Sequence, residues 1–201
     1  LPTDDVLEQW VLRSGLAAVF RGSDEDVLDR FFECSRRFSP TCIVRVTADD
    51  PLKDPKIINR ALDLLEENSE LDYCSNTIKP TFPEGLDIEV FRFKALARAH
   101  KEAKLPSERE HVTPYIWKNT HIFRTHNFVH DIDISNWRWT VDKPEDFEFM
   151  RQLFYAFKDD PEMPYQRLID YVAQHPRLAA INSRTVRNEG YLKSLAIESR
   201  P

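Results

Sequence analysis

Two acidic points stand where the residue pattern places strand ends: Asp49-Asp50, after the apolar run Ile43 to Val46, and Asp142, after Trp137 to Val141 and just before Pro144-Glu145-Asp146. In open α/β sheets the binding crevice lies outside the carboxyl ends of the strands, so both points can border one ligand although they are far apart in sequence. Paired carboxylates there suit Mg²⁺, which takes one or two of them and completes its octahedron with waters and substrate phosphates. Plain capping is the other use of such residues, with Asp49 closing a turn before Pro51 and Asp142 opening a helix at Pro144. Spacing alone leaves both open. Asp87 and Glu89 fall on one face of an alternating segment, either a solvated face or a working pair. Ser75 and Asn76 follow a strand, where a turn and hydrogen bonding to a sugar or ribose are equally good uses. His121, His126 and His130 have no Cys partners and no H-E-x-x-H spacing, which argues against zinc.

The elements that must position these residues alternate between strand and helix, the pattern of a mostly parallel sheet covered by helices. A helix is predicted over Thr3 to Arg13, with Val6, Leu7, Trp10 and Val11 aligned and Gly15 past its end. A short strand Ala17 to Phe20 follows, then a helix opened by a Ser23/Asp26 capping box and carrying Val27, Leu28, Phe31 and Phe32 on its core face. Cys42 to Val46, short and β-branched, reads as a buried central strand. A helix from Pro55 to about Asn68 leads to strands at Leu71 to Cys74 and Gly85 to Phe91. Helices from Phe93 to Lys104 and from Ser107, the latter capped by Glu110, precede strands at His121 to Phe128 and Asn136 to Val141. Pro144 opens a helix to about Phe157, and Pro164 to Gln174 and Tyr191 to Leu195 form the tail. Pro161 to Pro164 is the predicted hinge, dividing residues 1–160 from a helical extension 161–201 packed on the same domain.

With 201 residues, 41% of them hydrophobic, the chain can bury one substantial core. A net charge of -6 without a basic stripe argues against duplex nucleic acid as partner, because phosphate neutralisation needs clustered Lys and Arg. No apolar run reaches the eighteen or so residues of a membrane span, so a soluble protein without a membrane partner is expected. Three cysteines without CxxC spacing read as thiols of a reducing cytoplasm.

Several strings occur together in order. Phe20 to Arg30 (FRGSDEDVLDR), Val44 to Leu52 (VRVTADDPL), Gly85 to Phe91 (GLDIEVF), Ser107 to Ile116 (SEREHVTPYI), Arg138 to Asp146 (RWTVDKPED) and Arg187 to Leu195 (RNEGYLKSL) resemble the spore-coat polysaccharide cytidylyltransferase family. That family is similar in turn to the CMP-sugar synthetases for sialic acid and ketodeoxyoctonate. The resemblance implies a nucleotide-diphospho-sugar transferase fold, Rossmann-like and three-layered with helices on both faces of the sheet. It also implies a reaction in which a sugar hydroxyl attacks the α-phosphorus of CTP and pyrophosphate leaves. By the same resemblance Asp49 and Asp142 hold the catalytic magnesium, and Asp87 with Glu89 form a sugar-side acidic pair in which Asp87 orients hydroxyls or accepts the attacking proton. Arg45 and Arg138 are then candidates for phosphate or a sugar carboxylate, with a structural ion pair as their other use. Ser75, Asn76 and His111 are candidates for substrate contact. A homodimer is implied as well.

Members that resemble this chain begin with a strand and a loop of the type QARMGSTRLPGK that holds CTP. No such string is present, and the four glycines, Gly15, Gly22, Gly85 and Gly190, are too scattered to cradle phosphate. A first strand-loop-helix unit is therefore expected to be lacking, and the chain by itself should bind CTP poorly and be inactive. Two other functions remain: a nucleotide-sugar-dependent glycosyltransferase, for which Asp131-Ile132-Asp133 would be the metal string, and a non-catalytic binding module of the same fold.

Overall fold

The structure, a computed structural model, describes residues 1–160 and 162–199. At its centre is one sheet of four strands, β1 (Cys42–Arg45), β2 (Tyr73–Ser75), β3 (Glu89–Arg92) and β4 (Thr125–Asn127), in the order β1-β3-β2-β4. β3 runs antiparallel to both β1 and β2, and the β2/β4 pair is parallel. The prediction of a mostly parallel sheet is thus corrected, and the reason lies in residues 76–88. That connection contains no helix, so the chain turns back and enters between β1 and β2 instead of making the helical crossover that parallel pairing needs.

β1 is an edge strand with half-buried residues, not the buried central strand its composition suggested. Two other predicted strands are corrected. Ala17 to Phe20 pairs with nothing among the described residues. Asn136 to Val141 makes a single parallel bridge, Arg138 to Glu84. Its backbone groups instead serve two separate loops: Trp139 N–H donates to Glu84 O at 2.6 Å, and Val141 N–H donates to Asp49 O at 2.9 Å.

Among the described residues ten α-helices accompany the sheet: α1 (Asp5–Ser14), α2 (Val27–Phe38), α3 (Pro55–Glu67), α4 (Phe93–Glu102), α5 (Pro106–His111), α6 (Pro114–Lys118), α7 (Pro144–Ala156), α8 (Tyr165–Gln174), α9 (Pro176–Ala179) and α10 (Glu189–Glu198). Alternation along the strands divides the apolar interior. Tyr73 and Phe91 face α2, α4 and α6, packing with Leu28, Leu96 and Ile116. Cys74 and Val90 face α3, α7 and α8, packing with Leu65, Leu153 and Leu168. Each fully buried side chain of this size is worth on the order of 1.5–3 kcal/mol, which makes these two clusters the main source of stability. Residues beyond 161 belong to that interior, since Leu168, Ile169 and Val172 are all buried in the second cluster. Pro161, in the predicted hinge, lies outside the described residues.

Some capping differs from the predicted pattern. Asp26, not Ser23, caps α2 by accepting from Asp29 N–H at 2.9 Å. At α5 it is Glu108 that reaches back, accepting from Lys104 and Leu105 N–H at 3.3 Å, while Glu110 accepts from Ser194. α1 stands apart, burying no residue and leaving Val6, Leu7 and Trp10 exposed. Arg21 ties it down through Asp5 at 2.6 Å and Glu8 at 2.7 Å.

One glycine is indispensable to the geometry that follows. Gly85 has φ +107°, and a Cβ there would stand 2.4 Å from the backbone of Trp139. Only a residue without a side chain lets the segment carrying Glu84 and Asp87 close against the segment carrying Arg138 and Asp142.

Candidate active site

The sheet ends in a rung in which Arg45, Glu89 and Ser75 pair across β1, β3 and β2. A cleft of about 710 Å³ opens beyond it, and Asp49, Asp87, Asp142, Arg45, Glu89, His111 and Arg138 all line it. Residues predicted from distant strings are therefore brought to one place.

Each of the two loops that deliver the aspartates separates structural acids from exposed ones. In the loop after β1, Asp50 is buried, accepts from Thr47 Oγ1 at 2.7 Å and pairs with Lys53 Nζ at 2.7 Å. Asp54 caps α3, accepting from Lys56 N–H at 2.7 Å, and its second oxygen accepts from Tyr165 N–H at 2.9 Å. Asp49 has neither duty and is exposed, its Oδ2 accepting from Thr140 Oγ1 at 3.1 Å, 91 positions away in sequence. In the loop before α7, Asp146 is fully buried and caps the helix by accepting from Asp142 and Lys143 N–H at 3.1 and 3.0 Å. Asp142 caps nothing and is exposed. Capping, the alternative use of both residues, is thus performed by their neighbours.

Arg138 occupies the buried centre of the second loop. Its guanidinium donates to Glu84 at 2.6 Å, to Asp146 at 3.0 Å and to Asp142. Burial opposes its charge, but hydrogen bonds and the facing carboxylates outweigh that and hold its pKa above the usual value. The same contacts leave Asp146 acidic: burial pushes its pKa up, and hydrogen bonds from Arg138 and Asn182 bring it below the normal range. Arg138 is therefore a structural cation of the cleft wall, committed to three carboxylates. Arg45 is similarly engaged with Glu89, whose Oε1 accepts from Tyr73 Oη at 2.7 Å and from Thr113 Oγ1. Among the described residues Arg45 Nε is buried without a partner, an orphaned donor beside the cleft.

Asp87 is the carboxylate whose acidity is most altered at the cleft. Burial raises its pKa to about 6, opposed by the positive charges of Arg187 and Lys53. His111 is moved the other way, its pKa lowered by burial, and its Nε2 lies 3.1 Å from Ser194 Oγ. A neutral imidazole results, suited to hydrogen bonding.

Ser75 and Asn76 require a correction: both are fully buried, and neither lines the cleft. Asn76 clamps the β2–β3 connection, donating to Leu86 O at 2.8 Å and accepting from Ile88 N–H at 2.8 Å, while Ser75 Oγ accepts from Thr77 N–H at 2.9 Å. They hold the wall from behind, because a buried amide needs these partners. Asp131-Ile132-Asp133 lies in an exposed loop where Asp133 accepts from Ser135 N–H at 3.0 Å, away from the cleft lining.

One wall comes from the start of α10, with Asn188, Glu189, Tyr191 and Lys193, and from Lys143, which pairs with Glu189 at 2.9 Å; residue type and spacing assign none of these a role. The string RNEGYLKSL was conspicuous, but no periodicity predicts that it packs against a loop 100 positions earlier through Arg187 and Asp87.

Among the described residues no group of three or more His, Cys, Asp or Glu side chains is arranged to hold a metal ion. Nor is any helix long and apolar enough to cross a membrane.

Comparison with known proteins defines the class. The cytidylyltransferase family profile matches residues 3–181, and the chain belongs to that family. It is 37% identical over 175 residues to the uncharacterized protein MJ1063 of Methanocaldococcus jannaschii, covering 86% of this chain and 70% of that protein. It is 30% identical over 182 residues to the spore coat polysaccharide biosynthesis protein SpsF of Bacillus subtilis, covering 88% of this chain and 73% of that one. A solved cytidylyltransferase from Leptospira borgpetersenii serovar Hardjo-bovis superposes with a TM-score of 0.83 at 32% identity, over 92% of this chain and 76% of the other. The fold is accordingly that of a cytidylyltransferase, an α/β nucleotidyltransferase with a mixed four-stranded sheet.

Proposed function

We propose that the protein joins CMP from CTP to an acidic or amino sugar with release of pyrophosphate, in the synthesis of a surface or spore-coat polysaccharide. The observation that carries this is the meeting of Asp49 and Asp142 on one cleft, both exposed and both free of capping duty. Two carboxylates lining one cleft are the hard oxygen donors that magnesium takes when waters and phosphate oxygens fill its other positions. The donor set therefore fits the ion. When bound by Asp49 and Asp142, magnesium would supply positive charge for the triphosphate, which the cleft needs because its arginines are already paired with carboxylates.

In the step itself the sugar hydroxyl oxygen forms a bond to the α-phosphorus. The bond from that phosphorus to the oxygen bridging to the β-phosphate breaks, and pyrophosphate leaves with the electron pair. The hydroxyl proton passes to Asp87, whose acidity near neutral suits it to accept a proton and return it to water. The buried Arg138 and Glu89 networks keep the surrounding wall rigid, which preserves alignment for attack.

The test is pyrophosphate release from CTP by the full-length protein with a panel of acidic and amino sugars. CTP-specific release requiring both sugar and magnesium is the expected result. No release with any sugar, or equal release with the other nucleoside triphosphates, would refute the proposal.

A further inference from the structure

Arg187 stands just outside the residues that match the family profile, yet its side chain reaches Asp87, which lines the cleft. Its guanidinium is held on several sides: Nη1 donates to Phe82 O at 3.0 Å and to Ser135 O at 3.4 Å, and Nη2 donates to Asp87 Oδ1. The next residue, Asn188, takes a left-handed backbone with φ 56° and donates its N–H to Glu84 Oε1 at 2.8 Å. The other oxygen of Glu84 accepts from Arg138 at 2.6 Å, so the turn into α10 is fixed to the loop that carries Asp142. Among the described residues Asp87 Oδ2 has no hydrogen-bond partner, while Oδ1 is taken.

We propose that Arg187 is a positioning residue for the transfer step: it grips Asp87 by one carboxyl oxygen and leaves the other turned to the cleft, where the incoming sugar hydroxyl must lose its proton. The inference rests on the proposed role of Asp87 as proton acceptor. A carboxylate held by one oxygen through a rigid guanidinium keeps a fixed orientation, which a lone rotating side chain does not. Lys53 also faces Asp87, donating to its backbone oxygen, and Asp50 and Glu84 are the nearby acids. With Arg187 removed, one cation and two carboxylates remain around Asp87, and its ionised form loses its direct partner.

The chain labelled with ¹³C at the aspartate carboxyls permits a titration by NMR, with the Asp87 resonance assigned by its loss in Asp87→Asn. In Arg187→Gln the Asp87 midpoint is expected to rise by about one pH unit or more above the wild-type value. Arg187→Lys keeps the charge and should hold the midpoint near wild type, and it covers the case in which the glutamine variant fails to fold. In the pyrophosphate assay Arg187→Gln should lower kcat roughly tenfold with the KM for CTP unchanged, and the acid limb of the pH profile should move with the Asp87 midpoint. An Asp87 midpoint unaltered in the folded glutamine variant, or unaltered kcat in both variants, would overturn the assignment. Failure of the wild type to release pyrophosphate would strike the transferase proposal itself, and the titration would still decide the contact between Arg187 and Asp87.

Discussion

The loop after β1 and the loop before α7 solve the same problem in parallel ways. Each presents an exposed aspartate to the cleft and keeps other acids for folding: Asp50 and Asp54 in the first, Asp146 in the second. They differ in how the buried charge is neutralised. The first loop uses a local lysine, Lys53, and a threonine hydroxyl. The second places a nearly inaccessible arginine between carboxylates from two chain segments, Glu84 and Asp146, with Asp142 as its outer partner. Structural duty and chemical availability are thus divided among residues that composition alone would treat as equivalent. The second loop should be the more sensitive to losing its cation, since two buried carboxylates depend on it and one on Lys53.

Variants that disturb this division should have unequal effects. The largest is Arg138→Met, which leaves Glu84 and Asp146 buried without their cation and should cost about 3–5 kcal/mol in urea unfolding, against a smaller loss for Lys53→Met, which strands the single buried carboxylate of Asp50. Next comes the pH dependence carried by Asp87. Its pKa is raised to about 6 in the folded protein, while the unfolded side chain titrates near 4, so the folded state holds a proton that the unfolded state releases. Its contribution to stability is present below about pH 4, is lost as pH rises through about 6 and then stays constant. The span is about 3 kcal/mol, and it should vanish from unfolding curves of Asp87→Asn. Asp54→Ala removes a helix cap and should cost about 1 kcal/mol or somewhat more, because the contact with Tyr165 goes with it. Smallest is Trp10→Ala on the uncovered face of α1, expected to change the stability of this chain by less than about 0.5 kcal/mol.

Much of this molecule is legible from sequence, and the illegible parts have physical reasons. Helices that open on proline, such as α3 and α7, lie close to where the sequence puts them, because their signals are local. Strand direction was not local information: β3 alternates as a strand should, but only the helix-free connection through Asn76 makes it antiparallel. The run Asn136 to Val141 has strand composition, and its backbone partners come from Glu84 and Asp49, which no window around it contains. Asp49 and Asp142, which line the cleft, are conspicuous in sequence because they follow apolar runs. Ser75 and Asn76 lie behind the wall, which sequence leaves open, since a polar pair after a strand looks the same whether it faces a ligand or the backbone. Arg187 escaped notice because its significance lies in a contact made 100 positions away.

The central claim is that Asp49 and Asp142 face the cleft for chemistry and contribute little to folding. Pyrophosphate release and thermal midpoint measured together on Asp49→Asn and Asp142→Asn test it most directly. The account predicts a fall in rate of roughly a hundredfold or more in each, with the midpoint within a few degrees of wild type. Near-normal release, or a midpoint lowered as far as that of Arg138→Met, would contradict it.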